Sequence, residues 1–222
     1  MLRDAALVAG KDLRIEARSR VASNQVAPFA VLVLLLFAFA LDPDRGVLAR
    51  TAPGLFWVAV LFSGLLAVQR SFSLESADNA RDGLRLSGLD PAGIFLGKAG
   101  AIVVQMLALE VILAGFVTLM YGRHLHGPAI LIITCVAATA GMAASGTLYG
   151  VLAAGLRVRE TLLPLLLLPV VAPVLLAATR ASESALDGAG SEAWPWVRLL
   201  GVFAVIYVTF GILAFGPLLE EA

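Results

Sequence analysis

The sequence predicts an all-α polytopic membrane protein. Six transmembrane helices follow an N-terminal interfacial amphipathic helix, and an amphipathic cytoplasmic segment joins the second span to the third. Three observations carry this. Hydrophobic residues make up 60% of the chain and charged residues 14%, with a mean hydropathy of +0.93, whereas soluble domains hold about half apolar and a quarter charged residues. The apolar residues are gathered into runs as long as a bilayer is thick. The charges fall almost entirely between those runs.

A hydrocarbon core of about 30 Å takes about 20 helical residues to cross. Val21 to Leu41 and Thr51 to Gln69 carry no charged side chain; Ala99 to Gly122 carries Glu110 alone; Leu125 to Leu156, Thr161 to Thr179 and Leu199 to Leu219 carry none. With no water in the core, each backbone N–H and C=O needs a partner within its own segment, so these runs are helices. Six crossings return the chain to the side on which it started. Residues 1–20 form one unit and 21–222 a single transmembrane domain, with 70–98 as its main polar connection. No repeat of 20 to 50 residues is visible.

In the first unit, Arg3, Lys11, Arg14, Arg18 and Arg20 alternate with Leu2, Leu7, Val8, Leu13 and Ile15, and Asp4, Asp12 and Glu16 interrupt. A secretory signal would show an unbroken apolar core. Positions 7, 8, 11, 14, 15 and 18 instead share a helix face with a basic edge, as expected of a helix lying in the interface. Orientation follows from the basic residues. Eleven of them (five in residues 1–20, then Arg70, Arg81, Arg85, Lys98, Arg157 and Arg159) lie on the side of the termini, and five (Arg45, Arg50, Arg123, Arg180 and Arg198) on the other. The positive-inside rule places the termini in the cytoplasm. Trp194, Pro195 and Trp196 then stand at the outer end of span six, where an aromatic belt belongs.

Within the spans, Pro28 and Pro53-Gly54 come early, where a missing N–H costs little. Span four holds Gly141, Ala143, Ala144, Ser145, Gly146 and Gly150, small residues that let helices approach closely in lipid. Span five holds Pro164, Pro169 and Pro173, which predict a kink. The stretch from Arg180 to Trp196, rich in Ser, Gly, Ala and acids, reads as a solvated loop. Cys135 is the only cysteine, which excludes an internal disulfide and a cysteine-cluster metal site. No GxxxxGK[ST] motif occurs.

Arg70 to Lys98 is the one long polar segment that is itself amphipathic, with Phe72, Leu74, Leu84, Leu86 and Leu89 among its charges. Exposed leucines beside Glu75, Asp78, Arg81, Asp82 and Arg85 favour docking to a partner over a merely solvated face. Glu110 lies mid-span, where an ionised carboxylate costs several kcal/mol unless paired, watered or protonated. It reads either as a switch or cavity-lining group or as a hydrogen-bonded packing residue, and Gln105 is on a different face. His124 and His126 flank a leucine between spans three and four. Imidazole can ligate haem iron, but the absence of aromatic neighbours favours two solvated histidines. Cys135 reads as a small packing residue.

Certain residues together resemble a known family. They are Lys11-Asp12-Leu13-Arg14 with Arg18-Ser19-Arg20, Ala52-Pro53-Gly54 with Trp57-Val58-Ala59, Arg70 with Phe72, Asp82-Gly83-Leu84-Arg85-Leu86, and Ile94-Phe95-Leu96-Gly97-Lys98. The chain resembles the membrane components of ABC-2-type (type V exporter-like) transporters, and more closely the CcmB family of haem exporter proteins in the cytochrome c maturation system. The likeness runs through the first half of the chain. Asn79 and Gly88 stand where the family tends to have glycine and proline; Asn tolerates a left-handed turn, and Gly88 loosens the exit from the loop.

The resemblance implies a bacterial inner-membrane permease, not an enzyme by itself, working with a separate cytoplasmic ATPase (CcmA-like) and a second copy of itself. It also implies haem-handling membrane subunits (CcmC-like and CcmD-like) and a haem chaperone (CcmE-like), with haem as the candidate cargo and ATP handled by the partner. On this reading 70–98 is a coupling loop in which Phe72, Glu75, Asp78, Arg81, Asp82, Gly83, Leu84, Arg85, Leu86 and Lys98 meet the ATPase. Two other readings keep the architecture: an ABC-2 permease exporting a different lipid-like or polymeric substrate, and a non-transporting scaffold for haem-handling partners. An ion-coupled carrier is disfavoured by the single intramembrane acid and the lack of an inverted repeat.

Overall fold

The structure is a computed structural model that describes residues 1–20, 22–41, 45–77, 88–121, 127–154 and 159–221. The described residues are helical apart from short turns. In chain order they form α1 (Leu2–Ser19), a π-helical turn (Ala22–Val26), α2 (Ala27–Ala40), α3 (Arg45–Ala77), α4 (Pro91–Tyr121), α5 (Pro128–Ala154), α6 (Arg159–Leu186) and α7 (Gly190–Glu221). Five of them, α3 to α7, are each long and apolar enough to cross a membrane. A sixth candidate, the first in chain order, is composite. α2 has 14 residues, about 21 Å of helix, and reaches spanning length only through the π-helical turn that joins it to α1 with a bend of 52°. The chain is a multi-pass membrane protein.

Helix boundaries differ from the apolar runs in ways the local chemistry explains. α3 begins at Arg45, which makes Pro53 an interior proline rather than a first-turn one. Just upstream, a side chain engages two backbone carbonyls: Thr51 Oγ1 lies 3.1 Å from the Val47 oxygen and 3.2 Å from that of Leu48. Pro164, Pro169 and Pro173 lie within one continuous helix.

The expected solvated loop over Arg180–Trp196 is a correction. α6 runs on to Leu186 and α7 starts at Gly190, so only three residues separate them. Ala181, Ser182, Ala185 and Leu186 are all buried, the spacing of one helix face, while Arg180 and Glu183 pair at 3.0 Å on the exposed side. Gly188 closes the helix with φ of +79°. Its N–H bonds the Ala185 carbonyl at 3.3 Å and the Ala189 N–H that of Ser184 at 2.9 Å, the paired bonds of a glycine-terminated helix end. The composition of this stretch is that of a loop, but its period is that of a helix.

The core is built where small residues meet large ones. α5 packs against α3, α4, α6 and α7 through its small-residue face. A Cβ on Gly150 would fall 2.2 Å from the Phe72 ring, and one on Gly141 would fall 2.8 Å from the Phe203 ring. The close approach predicted for span four is therefore real, and it admits aromatic side chains of α3 and α7. Trp57, at 1% exposure, donates its Nε1–H to Ser182 Oγ at 3.0 Å and ties α3 to the end of α6. Trp194 and Trp196 are exposed at the start of α7.

Candidate functional site

The polar connection between α3 and α4 is described only at its two roots. α3 continues to Ala77, and the chain resumes at Gly88, where φ is +67°. Asp78, Arg81, Asp82, Gly83, Leu84, Arg85 and Leu86 lie outside the described residues, as do His124 and His126; Glu75 lies in the last turns of α3. The structure brings together the two ends of the connection and α1.

α1 lies along the first turns of α4. The contact requires glycine: a Cβ on Gly93 would fall 2.8 Å from the Met1 carbonyl oxygen, and one on Gly97 would fall 2.6 Å from Val8 Cβ. This four-residue glycine spacing is a familiar means of close helix approach in lipid. Val8 is buried while Leu2, Leu7 and Ile15 are exposed. The inward stripe of α1 is therefore Asp4, Val8, Asp12 and Glu16, one residue every fourth position, and most of it is acidic.

Each acid on that stripe meets positive charge or a helix start. Asp4 Oδ2 accepts the Asp90 N–H at 3.4 Å, at the N-terminal end of α4, where the helix dipole favours an anion. The Met1 amino group bridges Asp4 at 3.3 Å and Asp90 at 3.4 Å. Asp90 caps α4 by accepting the Ala92 N–H at 3.1 Å. Asp12 lies 3.7 Å from Lys98 Nζ, and Glu16 accepts from Arg70 Nε at 3.2 Å. Arg70 is on α3 before the connection and Lys98 on α4 after it, so one helix face holds both roots. Lys98 is only 1% exposed, and its ammonium stands 4.9 Å from the centroid of the Phe72 ring. A buried ammonium is tolerable with such company; unpaired, it would cost several kcal/mol.

Phe72 and Lys98, expected from the sequence to meet a partner, are thus packed inside at the base of the connection. Asp4, Asp12, Glu16 and Gly93 are not conspicuous in the sequence, although the four-residue spacing of 4, 8, 12 and 16 opposite Arg70 and Lys98 is a usable signal. Glu110 is elsewhere, on α4, away from α1. It is 3% exposed; Thr139 of α5 donates its hydroxyl to Oε1, and the Cys135 thiol is close to the same carboxyl. Among the described residues no cluster of three or more His, Cys, Asp or Glu could hold a metal ion.

Known proteins are similar to this sequence along most of its length. The family model described as "CcmB protein" matches residues 4–221, which extends the likeness well past the first half of the chain. A relative from Paracoccus denitrificans called "Heme exporter protein B" is 31% identical over 210 residues, covering 92% of each chain. Another so named, from Haemophilus influenzae, is 28% identical over 95% of this chain and 94% of its own. The Escherichia coli K12 protein of that name is 34% identical over 90 residues, 40% of this chain. With glycines that seat α1 on α4, ion pairs that hold the roots of the polar connection, and a match that spans nearly every residue, the chain belongs to the CcmB family.

Proposed function

We propose that the chain is the membrane-spanning permease subunit of an ABC transporter complex that acts in haem export or delivery for cytochrome c maturation. The observation that carries this reading is the grip of α1 on both roots of the 70–98 connection, through Glu16 on Arg70 and Asp12 on Lys98. A push on the connection from a cytoplasmic ATPase then moves α1, α3 and α4 together instead of bending a slack loop. The names of the relatives supply the cargo class, haem.

On this reading the bacterial inner membrane holds the chain with both termini in the cytoplasm. The chain transmits force and performs no chemistry itself. Glu75, Asp78, Arg81, Asp82 and Arg85 form the contact with the ATPase, while Phe72 and Lys98 stiffen its base. A second copy of the chain, haem-handling membrane subunits and a haem chaperone complete the assembly.

The experiment is a double charge reversal, Asp82→Arg with Arg85→Asp, in the full complex purified from detergent with its partners identified by mass. The expected result is an assembled complex whose ATP hydrolysis no longer drives haem delivery to the chaperone. Normal coupled turnover would remove the docking assignment. A partner ATPase inactivated at its nucleotide site should also stop delivery; continued delivery would favour a scaffold. Delivery unaffected by deleting this chain, with export of another substrate lost, would favour a different cargo.

A further inference from the structure

On the side of the molecule away from α1, a groove of about 410 Å³ runs between α3, α4, α5 and the end of α6. Its rim is apolar and open, with Val111 73% and Ile132 63% exposed. Its base is closed and includes the buried side chains of Glu110 and Ser182. Of the two carboxyl oxygens of Glu110, Oε1 is engaged by Thr139, while Oε2 is buried and receives no well-formed hydrogen bond among the described residues, the weak S–H donor of Cys135 being the other group beside the carboxyl. Buried polar groups are normally satisfied, so this oxygen points to something that the groove takes up. Its volume falls in the range of small-molecule sites.

The lining narrows the chemistry. Among the described residues it contains no Lys, Arg or His, so an anionic ligand would meet a carboxyl group and no counter-charge from them. That argues against fatty acids, phosphates and the propionates of haem at this place. An ammonium would have to be carried deep into an apolar stretch, which is costly. A neutral hydroxyl avoids both difficulties. It can donate and accept, so it satisfies Oε2 whether or not the carboxyl holds a proton. We infer that the groove binds a neutral, hydroxyl-bearing apolar molecule drawn from the bilayer, with its hydroxyl on Glu110 Oε2 and its hydrocarbon body between α4 and α5.

The test uses the full chain in phosphatidylcholine nanodiscs and three photoreactive diazirine probes: a sixteen-carbon alcohol, its methyl ether and the matching alkylammonium. Labelled peptides are mapped by mass. The alcohol is expected to label the α4–α5 rim about tenfold more than the ether, the worth of one buried hydrogen bond. Glu110→Leu should bring the alcohol down to the level of the ether. Ile132→Trp, which fills the mouth and leaves the carboxyl untouched, should abolish rim labelling in a protein whose thermal unfolding is unchanged. Equal labelling by alcohol and ether, stronger labelling by the ammonium, or no rim labelling by any probe would each overturn the assignment. The last result would mean that water or another protein surface fills the groove. These outcomes are independent of coupling to an ATPase, so they fail or succeed separately from the transport reading.

Discussion

Lys98 concentrates the electrostatics of this molecule in one side chain. Its ammonium is buried at the root of the polar connection and has Asp12 at 3.7 Å and the Phe72 ring at 4.9 Å as company. Removing one member of a buried pair strands the other, which costs about 3–5 kcal/mol in fully dry sites; Asp12 is partly exposed and can rehydrate, so the loss here should be smaller. Lys98→Met, Asp12→Asn and the double variant should therefore show a coupling energy of about 1 kcal/mol or more by thermal unfolding in detergent, and strictly additive losses would show that the pair contributes nothing. At Glu110 the informative neighbour is Thr139. Thr139→Val removes the hydroxyl that donates to a buried carboxyl and should lower stability by about 1–3 kcal/mol, whereas Thr139→Ser should retain most of it. Glu110 is legible in the sequence because an acid inside an apolar run is conspicuous. Thr139 is not, because a threonine in a small-residue helix looks like its neighbours until the fold sets it opposite α4.

Among the elements, α1 and α6 show what hydropathy reads well and what it misses. That α1 is an amphipathic surface helix is readable from its alternating charges. Which way it faces is not: the exposed side carries Leu2, Leu7 and Ile15, and the inward side carries the acids. Hydropathy alone assigns charge to the outside, and only the partners Arg70 and Lys98 reverse it. Gly97→Leu should lift α1 from α4, since even a Cβ there meets Val8 and the Ala5 carbonyl at under 3 Å. The expected cost is about 1–3 kcal/mol, together with faster proteolysis within residues 1–20. Protection equal to the parent protein would mean that α1 is held by something other than this contact. The end of α6 misleads for a related reason. Ser and Glu near a membrane surface resemble a loop in composition, while the alternation of buried Ala181, Ser182, Ala185 and Leu186 with exposed Arg180 is visible only as a period.

For the whole molecule, the five long spanning helices are legible because run length is a direct physical requirement of the bilayer. The composite first crossing is not, since the bend and π-helical turn at Ala22–Val26 leave no apolar signature. Membership of the CcmB family is carried by motifs in the first half, and the match over residues 4–221 extends it to the rest. One consequence of the acid stripe reaches into biosynthesis. Asp12 and Glu16 are made early, yet their partners are made tens of residues later: Arg70 at the end of the second crossing, and Lys98, with the α4 surface that seats α1, only with the third. Until then the leading helix has no seat, and its carboxylates advertise an unfinished chain to any protease patrolling the nascent protein. A released, truncated product ending at residue 90 should be degraded from its front end, whereas one ending beyond residue 121 should be spared.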